Sequence, residues 1–69
     1  MKNAKPTLED HNNCLRVCHF RGDSLSDADR TLLNIVAGAY ACGESCTAEE
    51  LNDARQIVQR ENSCTFFSV

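Results

Sequence analysis

The sequence predicts an all-α protein in which three helices joined by short turns pack into a compact arrangement. Apolar residues recur at helical spacing in three segments, a hydroxyl residue precedes each segment, and a glycine follows each of the first two. A chain of 69 residues allows one domain. We expect a flexible leader at residues 1–6, a single helical domain at 7–63 and an apolar tail at 64–69.

The first helix is expected at about residues 8–20. Pro6 disfavours helix in the residue before it, so ordered structure should begin at Thr7. Thr7 and Asp10 approximate a capping box, in which each side chain accepts the other residue's amide. A polar turn should follow at residues 21–24, where Gly22 can adopt the left-handed conformation that ends a helix.

The second helix is expected at about residues 27–42. Ser26 can cap its start, with Asp29 at the third helical position, and Gly43 should stop it. Helical spacing predicts that one stripe of this helix faces the core, namely Leu32, Ile35, Val36, Ala39 and Cys42.

The third helix, at about residues 48–61, has the clearest start. Thr47 and Glu50 form a full capping box, and Glu49 adds a second acid where the helix dipole favours negative charge. Its core-facing residues should be Leu51, Ala54, Ile57 and Val58. The residues from Cys64 onward are apolar and β-prone, with no helical period, which indicates a tail outside the helix.

Composition argues against two classes of partner. Seven Lys and Arg against ten Asp and Glu give a pI near 5.1, so neither nucleic-acid phosphates nor an anionic membrane should attract the chain. No apolar run approaches the roughly 20 residues that span a bilayer. The opening MKNAKPTLED contains no apolar secretory segment, so we expect a soluble, cytoplasmic protein.

Five cysteines in so short a chain raise the question of metal or disulfides. Since the expected compartment is reducing, we predict free thiols and no metal or other cofactor. One alternative is a zinc-stapled structural domain, because the first helix places cysteine and histidine four or fewer residues apart on one face. The ligands would come from His11, Cys14, Cys18, Cys42 and Cys46.

The two CxxxC pairs, Cys14/Cys18 and Cys42/Cys46, resemble the small intermembrane-space chaperones of mitochondria. That resemblance implies two antiparallel helices clamped by disulfides between the pairs. Here the second pair straddles a helix break at Gly43, and the segment between the pairs contains an additional cap, so the chain is not assigned to that family. A single disulfide between the two pairs stays an alternative for an oxidising compartment.

The sequence also bears on two further functions, catalysis and DNA binding. His11 and Cys14 supply a base and a thiol on one helix face, but no complete catalytic constellation accompanies them, so we expect no enzymatic activity. The second and third helices could form a helix-turn-helix that binds DNA. Its recognition helix would begin with Glu49 and Glu50, followed by Asp53, which would direct three acids at phosphates.

The leading interpretation is a protein-protein interaction module. Several apolar residues lie off the main stripes or beyond the last helix, and exposed apolar surface of that kind indicates an interface. We expect a self-associating homodimer that regulates, adapts or inhibits an unidentified protein. The predicted interface residues are Val17, Phe20, Leu33, Tyr40, Phe66 and Phe67.

Overall fold

A computed structural model describes the backbone of residues 2–67 and the side chains of residues 2–63. It confirms the all-α prediction of three helices. Within the described part of the chain, no helix is long and apolar enough to cross a membrane. The helices are α1 (Leu8–Arg21), α2 (Asp27–Cys42) and α3 (Ala48–Phe67), with a 3₁₀ turn at Gly22–Ser24 and two short strands, β1 (Asn3–Ala4) and β2 (Cys46–Thr47).

All three helices start where the sequence predicted. The Thr47 amide donates to Glu50 Oε1 at 3.0 Å, and the Glu50 amide donates to Thr47 Oγ1 at 3.0 Å. The box at the start of α1 is formed in the same way by Thr7 and Asp10. Ser26 Oγ accepts the Asp29 amide at 3.2 Å at the start of α2. These hydrogen bonds join residues three apart, so local sequence is enough to specify them.

The helix ends follow the prediction less closely. Gly43 has a φ of 73° and ends α2 in the left-handed conformation, as expected. Gly22 does not use the left-handed conformation that it could adopt; its φ is −56° and it opens the 3₁₀ turn. The third helix continues to Phe67 rather than ending at residue 61. Neither glycine nor proline follows Glu61, so the usual stop signals are missing there.

The N-terminal segment, predicted as a flexible leader, is tied to the start of α3. Asn3 pairs with Thr47 and Ala4 with Cys46 in an antiparallel bridge. The Ala48 amide donates to the carbonyl of Lys2 at 2.9 Å. The first amides of a helix have no partner inside the helix, and the leader satisfies one of them.

The core lies between all three helices, but α2 contributes a different face from the one predicted. Leu33 and Val36 are 0% exposed, whereas Ile35 is 43% exposed. The predicted stripe is therefore rotated by about a quarter turn. Residues 31–42 contain no charged side chain, so hydrophobic spacing alone could not choose between neighbouring stripes. The described core is Cys14, Val17, Leu25, Leu33, Val36, Ala37, Cys46, Leu51, Ala54, Ile57 and Val58.

The first helix buries a charged residue and exposes two leucines. Cys14 and Val17 are buried together with the carboxylate of Asp10. Leu8 and Leu15 are 56% and 46% exposed. A carboxylate buried in this way requires a partner that satisfies its charge and its hydrogen bonds.

Candidate functional site

A bidentate ion pair joins α1 to α3. Arg55 donates from Nε to Asp10 Oδ1 at 2.9 Å and from Nη2 to Asp10 Oδ2 at 2.8 Å. Asp10 is only 8% exposed and also accepts the Thr7 amide at 2.9 Å. These donors, Arg55 first among them, lower the pKa of Asp10 to about 2 against the opposing effect of burial. Asp10 is therefore ionised and fully engaged at neutral pH.

A second charged network joins all three helices at the other end of α1. Arg21 Nε donates to Glu61 Oε1 at 3.2 Å. Arg60 donates to Glu61 Oε2 and to Asp29 Oδ2, both at 3.1 Å. Because Glu61 is buried and Asp29 lies in the first turn of α2, this network fixes α3 against both other helices. We call these two sets of ion pairs the charged seam.

Beside the charged seam lies a groove of about 500 Å³ between α1 and α3. Burial raises the pKa of the Cys14 thiol, which lies in the groove floor, to about 11. At neutral pH the groove thus presents a protonated thiol and an already paired carboxylate, over an otherwise apolar floor. The floor residues are Cys14, Val36, Leu51, Ala54 and Val58, and the polar walls include Glu9, Asn13, Gln59 and Asn62.

The four cysteines whose side chains are described are all free. Cys14 and Cys46 are buried, Cys18 is half-buried and Cys42 is exposed, so no disulfide joins the two CxxxC pairs. The side chain of Cys64 lies outside the described residues. Burial also raises the pKa of the Cys18 and Cys46 thiols.

The alternative zinc ligands do not come together. Among the described side chains, no group of three or more His, Cys, Asp or Glu residues could hold a metal ion. His11 instead donates from Nδ1 to the Ala37 carbonyl at 3.1 Å, and its ring lies 5.0 Å from that of Tyr40. This orientation turns the imidazole toward α2, and its described hydrogen bond is to Ala37 rather than to Cys14.

The predicted interface residues differ in their exposure to solvent. Phe20 is 74% exposed and Tyr40 is 36% exposed. Val17 and Leu33 lie in the core, at 2% and 0% exposure, so the prediction that they present free apolar surface is wrong. The side chains of Phe66 and Phe67 lie outside the described residues. The exposed apolar residues that the sequence reading missed are Leu8, Leu15 and Ile35.

Both of these leucines belong to a surface formed by α1 and α2 on the side away from α3. The contact between His11 and Ala37, and the 3.9 Å approach of Cys18 Sγ to Asn34 Oδ1, show which edges of the two helices meet. The seam residues that contact α3 lie on the other side of these helices. We define the α1–α2 outer face as Leu8, His11, Leu15, Cys18, Asn34, Gly38 and Ala41, a set with no Asp, Glu, Lys or Arg.

The segment considered for DNA binding keeps its negative charge on the surface. Glu49 and Asp53 are exposed on α3, and Glu50 is occupied by its hydrogen bond to the Thr47 amide. Carboxylates at the start of a recognition helix would face phosphates of like charge. The geometry therefore adds nothing in favour of this alternative.

Comparison with known proteins gives no relative from which a function could be taken. No family model matches the chain, and neither a curated protein nor a solved structure matches it. The function has to be argued from the surface itself.

Proposed function

We propose that this chain is a small protein-protein interaction module that self-associates and acts as a regulator, adaptor or inhibitor of another protein. The observation that carries the proposal is exposed apolar surface. Phe20 is 74% exposed, and Leu8, Leu15 and Ile35 are each more than 40% exposed. Apolar side chains left in water on so small a domain are typical of an interaction surface.

The distribution of charge supports the same proposal. The α1–α2 outer face contains no Asp, Glu, Lys or Arg, and the exposed ion pair of Arg30 with Asp27 lies at the start of α2. The centres of protein interfaces are depleted in charged residues and enriched in aromatic ones. Phe20 lies near the end of α1 and adds exposed aromatic area outside that face.

Sedimentation equilibrium tests the self-association. At about 10 μM, where a dimer of micromolar affinity is largely assembled, the mass should be close to twice 7.7 kDa. A mass that stays at the monomer value up to about 100 μM would overturn the proposal. The average molar mass should be measured over a dilution series, because a reversible dimer dissociates as it is diluted and the average mass falls.

A matched pair of variants tests whether exposed apolar groups drive the association. Leu15→Ser combined with Phe20→Ser should shift the equilibrium toward monomer, because the double variant removes exposed apolar area that self-association would bury. Gln56→Ser, at an exposed position on α3, is the control and should leave the mass unchanged. Phe66→Ser with Phe67→Ser tests the predicted contribution of the tail, and an unchanged dimer would exclude that contribution alone.

A further inference from the structure

Gly38 is the one residue of α2 that the isolated chain does not explain. It lies in the interior of a 16-residue helix, where glycine is less favourable than alanine. Its backbone is not in the left-handed conformation, which Gly43 alone adopts among the described glycines. A Cβ built on Gly38 would meet nothing within 4 Å. No contact within the described chain requires position 38 to lack a side chain.

We call the open space over Gly38 in the α1–α2 outer face, where a built Cβ meets nothing within 4 Å, the notch. Asn34 and Ala41 lie one helical turn before and after it on the same side, and both are exposed. Across the junction with α1, Leu15 stands out at 46% exposure. A glycine beside small neighbours permits the backbone of another helix to approach closely. The notch is therefore suited to a helix that comes from outside this chain.

We propose that a second copy of this chain occupies the α1–α2 outer face, with the two α2 helices crossing at Gly38. This inference rests on the proposed self-association and assigns its surface. The two hairpins would face each other as a four-helix layer, with α3 on the outside of each copy. One patch that contacts itself is the arrangement of a two-fold dimer.

Charge favours a second copy over a charged partner. From Thr31 to Cys42 the sequence of α2 contains no charged residue, and the outer face of α1 contains none either. Two identical faces that carried net charge would repel each other, whereas these meet without like charges between them. The face also offers no ion-pairing group that would select a strongly basic or acidic partner.

The area of the face is consistent with a weak dimer. Helices of 14 and 16 residues are about 21 and 24 Å long, and two of them side by side are about 20 Å wide. The footprint is then on the order of 400–500 Å² for each copy, at the low end of specific interfaces. A dimer of this size should dissociate in the micromolar range rather than the nanomolar range.

The test compares two glycines that are alike in the isolated chain. Gly22, like Gly38, has open space around a built Cβ and a φ below zero, but it lies in the turn after α1. Gly38→Gln should raise the dimer dissociation constant about tenfold or more, because a long side chain would be forced between closely packed helices. Gly22→Gln should leave it unchanged. Circular dichroism should show native helicity in both variants, since glutamine is the better helix former.

A second variant tests the same surface without changing Gly38. Leu15→Glu would place like charges across the interface and should give monomer, whereas the control Gln56→Glu on α3 should stay dimeric. If the parent is a dimer and neither Gly38→Gln nor Leu15→Glu weakens it, the dimer uses another surface and this inference is overturned while the proposed function stands. A parent that stays monomeric up to about 100 μM overturns both.

Discussion

Helix α1 contributes to the charged seam on one side and to the α1–α2 outer face on the other. These two sides of the helix are built in opposite ways. Toward α3, α1 presents Asp10 and Arg21, each paired with a residue of α3. Away from α3 it presents Leu8 and Leu15 to solvent. The usual amphipathic arrangement would bury the leucines and expose the charges. The difference shows that α1 uses its charged residues inside the domain and keeps apolar ones for its surface.

A buried carboxylate is tolerated only where its partners are complete. Asp10 accepts hydrogen bonds from Thr7 and from two nitrogens of Arg55, and the described structure contains no buried side-chain N or O atom that lacks a hydrogen-bond partner. Removing one member of such a set leaves the others unsatisfied. The outer face has no comparable set, so substitutions there should affect association more than folding.

The largest expected effect is a difference in alkylation rate between two thiols. One is buried beside the charged seam, and the other is exposed at the end of α2. In the native protein at about pH 8, iodoacetamide should modify Cys14 about 100-fold more slowly than Cys42, or slower still, because burial both shields Cys14 and raises its pKa to about 11. Mass spectrometry of each labelled peptide over time gives the two rates. In denaturant the rates should converge, and similar rates in the native protein would contradict the burial of Cys14.

Breaking the seam directly should have the next largest effect. Asp10→Ala removes the acceptor of the Thr7 amide and the bidentate pair with Arg55, and it should lower the free energy of unfolding by about 2–3 kcal/mol. Urea denaturation measures the change. Asp53→Ala, which removes an exposed acid from α3, is the control and should stay within about 0.5 kcal/mol of the parent. A loss below about 1 kcal/mol for Asp10→Ala would mean that the seam contributes little.

Acid should weaken the seam selectively. The pKa of Asp10 is about 2 in the folded protein and 3.8 in its ordinary state, so its ionisation stabilises the fold fully above pH 3.8. That stabilisation, about 2 kcal/mol, is lost as pH falls through about 2. The stability difference between the parent and Asp10→Ala should therefore shrink between pH 6 and pH 2 in urea titrations. A difference independent of pH would show that the carboxylate is not held ionised by Arg55.

A smaller effect is expected where the leader and α3 meet. Thr47→Ala removes one half of the capping box with Glu50 and should lower the free energy of unfolding by about 1 kcal/mol. Ser45→Ala, at an exposed position two residues earlier, should be nearly silent in the same thermal melts. Equal melting temperatures for the parent and Thr47→Ala would show that the leader, rather than the cap, holds the start of α3.

The smallest effect belongs to the outer face. At a concentration low enough to keep the protein monomeric, Gly38→Ala should raise the free energy of unfolding by about 0.5–1 kcal/mol, because alanine is favoured in a helix interior and its Cβ meets open space. Gly22→Ala is the matched comparison in a turn and should give a smaller gain. A destabilising Gly38→Ala would show that the isolated chain does need that glycine.

The helix starts could be predicted because each depends on residues within one turn. Thr7 with Asp10, Ser26 with Asp29 and Thr47 with Glu50 form their hydrogen bonds without reference to the rest of the fold. The buried faces could not be predicted in the same way. On α2, adjacent leucines offered two possible stripes, and the structure buries Leu33 while Leu32 is only partly buried.

Sequence alone determined the class of fold, the three helix starts and the stop at Gly43, because these depend on contacts between near neighbours in the chain. Tertiary structure decided which way α1 faces. Asp10 lies 45 residues from Arg55 and Arg21 lies 40 residues from Glu61, and only the packed helices bring these partners together. Once those pairs form, the 100° step of the helix turns Leu8 and Leu15 outward. The surface proposed for a second copy is thus a consequence of charges buried on the opposite side of the same helix.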